Sequence, residues 1–241
     1  TDSSRLAMPE ISIGLYPDVG GSWFLNNMPP GCGLFLGMTG ASMNAADALY
    51  VNMADYFMPN DMKAQWLEGL EQLPWGNDSA ANADQLSVMC AHLHQQHQAL
   101  LPVSKVQPLQ GSLAQLESKK TAAEVAEQIL QLDAGDDRWL AKAQKTLQAG
   151  SPISANLVFE QLQRGQSMTL AQCFAMELIM SCRCGEFGEF QEGVRALLVD
   201  KDHQPKWHYA SIAQVPKETM VWFFDSQWQG TEHPLSHLDK E

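Results

Sequence analysis

Apolar positions along this chain follow two patterns. Over the first sixty residues they come in short runs broken by PE, PD, GG, PP and TG, in a stretch rich in Gly, Met and Pro and nearly free of charge. Arg5 to Met8 predicts a strand arriving at Pro9-Glu10, and Ile11 to Leu15 a short connection closing on Gly14. Ser22 to Met28 predicts a helical stretch, with Asp18 standing where an N-cap would be. Pro29-Pro30-Gly31 ends that piece, and Gly33 to Met38 forms a short apolar helix stopped by Thr39-Gly40. Ala45 to Val51 is a third helix with Asn44 as its cap, and Asp55 to Met58 a short strand. Strand, loop, helices and strand in this order describe an α/β layer.

From Asn60 onward the apolar residues recur at three and four: Met62, Trp66, Leu67 and Leu70, then Leu86, Met89 and Leu93. Strand signals nearly vanish. Further helices are expected at Ala122 to Leu132, Asp137 to Leu147, Ile153 to Gln163, Leu170 to Cys182, Phe190 to Leu198 and Pro216 to Phe224. Asp136, Ser151 and Thr169 stand near their starts as caps. The Gln-rich stretches 95–98 and 107–115 read as exposed linker or helix surface. The change of pattern divides the chain into residues 1–60, a core portion with an active-site loop, and a helical region, 61–241. No internal repeat is detected.

At 241 residues and 45% hydrophobic content the chain is long enough to bury a substantial core. Its formal net charge of -13, from 15 Lys and Arg against 28 Asp and Glu, excludes a broad phosphate-tracking surface, so no nucleic-acid partner is expected. A small anionic ligand is still compatible, because a few local cations or a helix N-terminus suffice to hold it. The five cysteines contain no CxxC pair and read as reduced thiols. No run approaches the roughly 18 apolar residues of a membrane span, and no membrane partner is expected. The opening Thr1-Asp2-Ser3-Ser4-Arg5 leads at once into a dense apolar motif, which suggests that the natural protein starts further upstream. A bacterial cytoplasmic or mitochondrial-matrix location fits these features.

Candidate chemistry centres on two acids. Glu10 follows Pro9 at a predicted strand end, where α/β proteins place chemistry, and its backbone is held extended. Eight residues on, Asp18 follows Pro17 and precedes two glycines that let another group approach closely. Two carboxyls held in an apolar neighbourhood can acquire separated pKa values, one serving as nucleophile or base and the other as acid or hydrogen-bond partner. The residues alone leave a structural alternative, in which Glu10 caps the strand end and Asp18 caps the helix beginning near Val19.

The segment AMPEISIGLYPDVGGSWFL, followed by MTGASMNAADALYVNMADYF, resembles the catalytic Pro-Glu strand and following turn of the crotonase (enoyl-CoA hydratase/isomerase) superfamily. It resembles the 3-hydroxyisobutyryl-CoA hydrolase branch more than the hydratase branch, because hydratases usually carry a small residue where Asp18 stands. A second stretch, SPISANLVFEQLQRGQSMTLAQCFAMELIMSCRC with EFQEGVRALLVDKDHQPKW, resembles the C-terminal helices of the same hydrolases. The resemblance implies the C-terminal portion of the α/β crotonase (ClpP/crotonase-like spiral) fold, mostly helical in this chain with a few short strands. It implies Glu10 as principal catalytic group and Asp18 as partner in binding the substrate hydroxyl or directing water. It also implies an acyl-CoA substrate and hydrolysis of 3-hydroxyisobutyryl-CoA to 3-hydroxyisobutyrate and free CoA in valine breakdown. No metal and no cofactor is called for, CoA being part of the substrate, and a homo-oligomer is compatible. In the family, two backbone N–H groups hold the thioester carbonyl, and their loops lie upstream of the position of Thr1, so these 241 residues alone are expected to be inactive. An enoyl-CoA hydratase and a non-catalytic crotonase-like scaffold are the alternatives.

Other features read as structural. His92, His94 and His97 do not share a helix face, and Pro234 separates His233 from His237 in a polar tail. Arg195, Lys201 and Lys206 form a basic cluster suited to a phosphate or, more simply, to a charged turn. Trp207, Trp222, Phe223, Phe224 and Trp228 read as core.

Overall fold

The computed structural model describes residues 1–228 and 232–238. Its α-helices, in chain order, are α1 (Gly21–Phe24), α2 (Cys32–Thr39), α3 (Ala45–Tyr50), α4 (Lys63–Gln72), α5 (Ser79–His97) and α6 (Gln110–Leu113). They continue with α7 (Ala122–Leu130), α8 (Arg138–Ala149), α9 (Pro152–Gly165), α10 (Leu170–Phe187), α11 (Glu189–Val194) and α12 (Lys217–Phe223). The helices group by contact into two units, one made of Thr1–Leu6 with Met43–Leu109, the other of Ala7–Ser42 with Gln110–Glu241. This grouping differs from the division by sequence pattern at residue 60, since each unit takes residues from both sides of it.

The strands expected at Arg5 to Met8 and Asp55 to Met58 do not form. Among the described residues the only β pairing is an isolated antiparallel bridge between Leu6 and Met43, whose N–H groups donate to each other's carbonyls at 3.1 and 2.7 Å. A strand needs a ladder to hold it, and these segments meet no further edge in the described residues.

In the first unit the sequence's cap signals are realised. Asn44 accepts from the Asp47 N–H while Asp47 accepts from the Asn44 N–H, a complete capping box on α3. The Asp47 side chain is fully buried, and its second oxygen accepts from Ser104 Oγ, Lys105 N and Val106 N, at 2.7 to 2.9 Å. One acid thus caps a helix and pins the loop at 104–106.

In the second unit, α9 is the central element, packing on α1, α2 and α7. With its neighbours it forms a core of Tyr16, Ile153, Leu157, Met176, Met180, Cys184, Met220 and Phe223. Phe223 is buried as expected, whereas Trp207 stands half-exposed and spends its indole N–H on the Ala149 carbonyl. Of the two readings for 107–115, linker or helix surface, the second holds: short helical turns, anchored by fully buried Leu113 with Leu116 just beyond, an i, i+3 apolar pair. A 3-10 turn, Glu10–Ile13, stands where a connection was expected. Gly14 closes it at φ 70°, and a Cβ there would lie 2.5 Å from the Glu189 carbonyl oxygen. Only glycine allows that approach, so the turn is seated against α11.

Candidate active site

Glu10 is the first residue of the 3-10 turn, and its placement follows from how that turn is held. Ile11 is fully buried, and its carbonyl accepts from the Ser151 N–H at 3.0 Å. Ser151 in turn caps α9 through the Ser154 N–H and hydrogen-bonds the Glu189 carboxylate. The turn is therefore anchored on α8, α9 and α11, all of which contact it. Glu10 itself is half-buried, and its Oε2 is enclosed with no hydrogen-bond partner among the described residues. An enclosed carboxyl oxygen without a donor is costly when charged. Burial accordingly pushes the Glu10 pKa from 4.5 up to about 7, with the charge of nearby Asp18 adding to the rise.

Asp18 is also half-buried, in the turn that leads into α1. It is not the N-cap. That position falls on Gly20, at φ 90°, and the cap makes no local side-chain hydrogen bond. Instead Glu177, from the middle of α10, accepts from Gly20 N through Oε2 at 2.8 Å and from Ser22 N through Oε1 at 2.9 Å. Gln161 of α9 donates to the Pro17 carbonyl at 3.1 Å, and Tyr16, fully buried, donates to the Glu177 carbonyl at 2.5 Å and pairs with Ser181 Oγ at 2.7 Å. Between these grips the chain passes through Val19 at φ 51°, a β-branched residue in the left-handed region that is 71% exposed. Such strain persists only where the surroundings over-determine it, and it gathers at functional sites. The Asp18 carboxylate makes no hydrogen bond among the described residues.

The structure thus brings the two sequence-selected acids into one electrostatic neighbourhood and removes the alternative that Asp18 is a helix cap. It adds Glu177, which periodicity could have flagged: on α10 it lies on the buried stripe Cys173, Met176, Met180 and Cys184, a lone acid among apolar neighbours. Two other groupings have structural uses. Arg195 is held by Glu192 at 2.8 Å and by Asp200 and Asp202, each at 2.7 Å, and also donates to the Gln204 carbonyl. Its guanidinium ties down the acidic turn after α11 and is not available to a phosphate. The three histidines of α5 diverge: His94 accepts from the Phe57 N–H, His92 pairs with Gln96, and His97 with the Leu93 carbonyl.

The profile of the Enoyl-CoA hydratase/isomerase family matches residues 1–224, and the chain belongs to that family. Among curated relatives, the mitochondrial 3-hydroxyisobutyryl-CoA hydrolase of Danio rerio is 33% identical over 94% of this chain and that of Homo sapiens 30% over 94%. The 3-hydroxyisobutyryl-CoA hydrolase 1 of Arabidopsis thaliana is 30% identical over 92%. The chain spans 57% of the length of each. Of solved structures, an enoyl-CoA hydratase from Rhodobacter sphaeroides superposes with a TM-score of 0.75 at 28% identity, covering 94% of this chain and 60% of that one. A carnitinyl-CoA dehydratase from Mycobacterium thermoresistibile gives 0.75 at 27%, covering 93% and 60%. The fold is the C-terminal portion of the crotonase fold, almost entirely helical over this span.

Proposed function

We propose that this protein hydrolyses the thioester of 3-hydroxyisobutyryl-CoA, with Glu10 and Asp18 as its acid pair. The observation that carries this reading is Glu10: an enclosed carboxyl oxygen without a donor, on a carboxyl whose pKa stands near 7, beside an Asp18 whose carboxylate no helix end consumes. A carboxyl balanced near neutral pH suits proton transfer or nucleophilic attack. In one route Glu10 takes a proton from water as the water oxygen bonds to the thioester carbon, the C–S bond breaks, and the CoA thiolate recovers the proton. In the other the Glu10 carboxylate attacks the carbon itself, the C–S bond breaks to release the CoA thiolate, and water opens the anhydride to the free acid and the restored Glu10 carboxylate, its proton going to the thiolate. Asp18 binds the substrate hydroxyl or orients the water in either route. The names of the curated relatives support the hydrolase over the hydratase, as does Asp18. The mitochondrial names of the animal relatives, together with five free cysteines, support a thiol-reducing compartment such as the mitochondrial matrix or bacterial cytoplasm.

The test incubates the naturally produced protein with 3-hydroxyisobutyryl-CoA and, separately, with crotonyl-CoA, and follows thiol release and enoyl absorbance. The expected result is thiol release from the first substrate, lowered roughly 10²- to 10⁴-fold by Glu10→Gln. Loss of enoyl absorbance without any thiol release from either substrate would assign the protein to the hydratases.

A further inference from the structure

Glu177 is an unusual way to start a four-residue helix. It lies 157 and 155 residues from the two N–H groups it satisfies, is 4% exposed, and none of the ion pairs among the described residues engages it. A buried carboxylate without a cation is expensive, and burial raises its pKa against the pull of the two N–H donors. The chain has a cheaper cap two residues before Gly20, because an aspartate is among the best N-cap residues and would serve from the exposed side. Capping by Asp18, however, would turn its carboxylate back onto the helix and occupy it. Facing Glu177 are Gly20 and Ser22 as donors, Tyr16 on its backbone carbonyl, Cys173 on its own helix, and Asp18, whose like charge adds to the rise that the two donors oppose.

We propose that Glu177 is a positioning residue for Asp18: by accepting from Gly20 and Ser22 it takes over the cap, frees the Asp18 carboxylate, and fixes the strained turn that presents it beside Glu10. This rests on the reading of Asp18 as part of the acid pair, and it holds whichever acyl-CoA the protein turns over. Glu177→Gln replaces one acceptor oxygen with a donor that opposes an N–H, so the turn loosens while the packing volume is kept. A 1 Å displacement at a reacting group costs up to about 10²-fold in rate.

The experiment is a double-mutant cycle in the naturally produced protein, measuring kcat and KM per folded molecule well below Tm for wild type, E177Q, D18N and E177Q/D18N. E177Q is expected to lower kcat about tenfold with KM changed less than about twofold, and to change kcat less than about twofold once Asp18 is Asn. Should E177Q fail to fold, Glu177→Asp, which keeps the charge and shortens the reach, is run in the same two backgrounds with the same expectation. Equal losses of kcat in both backgrounds, or wild-type kcat in E177Q, overturn the role of Glu177 while leaving the acid pair standing. Wild-type kcat in D18N overturns both. Absence of turnover with 3-hydroxyisobutyryl-CoA alongside turnover of another acyl-CoA overturns only the substrate, and the cycle on that other thioester then decides for or against Glu177.

Discussion

Glu10 and Asp18 carry the same functional group in unequal surroundings, and the difference gives them different roles in the proposed reaction. A base or nucleophile must be ionised, so with the Glu10 pKa raised to about 7 the rate should climb roughly tenfold per pH unit below that point and level off above it. The check is kcat/KM for CoA release between pH 5 and 8.5; a profile that is flat or falls across that range would remove Glu10 from the role of base. Because the charge of Asp18 contributes to the rise, the residual activity of D18N should show its midpoint shifted down. The prolines before them and the glycines after Asp18 marked both acids as candidates, and the resemblance to the family's Pro-Glu segment selected them over the capping alternative. What the sequence could not show is which of two acids caps α1, since a contact across 157 residues leaves no local pattern.

Helix ends were the most readable elements, because caps are local chemistry. Asn44, Ser151 and Thr169 all cap where expected, while the cap on α8 is Asp137, one residue beyond Asp136. The strands were misread because a strand is defined by its partner, and short apolar runs at 5–8 and 55–58 carry strand propensity without a ladder to join. The caps are nonetheless not equivalent. Thr169 is exposed, and replacing it with Ala removes a cap of about 1 kcal/mol. Ser151 is fully buried, caps α9, and also hydrogen-bonds Glu189, whose other oxygen accepts from the His208 N–H at 2.7 Å. Ser151→Ala strands a buried carboxylate oxygen in addition to losing the cap, and should cost roughly 2–4 kcal/mol. Urea unfolding of the two variants measures both. Equal losses would mean that Glu189 finds another donor, and that the brace between the Glu10 turn and α9 does not depend on Ser151.

Across the whole molecule the acids outnumber the bases by 28 to 15, and two of them, Glu10 and Glu177, shift in the same direction. Glu10 and Glu177 both have raised pKa values, chiefly through burial, so the folded state holds their protons more tightly than the unfolded chain does. Stability from such groups is fully present below the unfolded carboxyl range and is lost as pH rises through the folded values, which for Glu10 means between 4.5 and about 7. The general repulsion of a chain with net charge -13 weakens in the same direction as pH falls. Glu192 and Asp202, lowered by their pairing with Arg195, act oppositely, but their contribution is lost only as pH drops through the unfolded carboxylate range and below. Between pH 5.5 and 8 they stay ionised in both states and drop out of the balance. The naturally produced protein should therefore melt at higher temperature at pH 5.5 than at pH 8, and Glu10→Gln, which carries no proton to lose, should raise Tm at pH 8 and flatten the dependence. Scanning calorimetry of both proteins at the two values is the measurement. A Tm that rises from pH 5.5 to 8, or a slope unchanged by Glu10→Gln, would mean that the enclosed oxygen of Glu10 gains a donor in solution, and with it that the carboxyl titrates near its ordinary value.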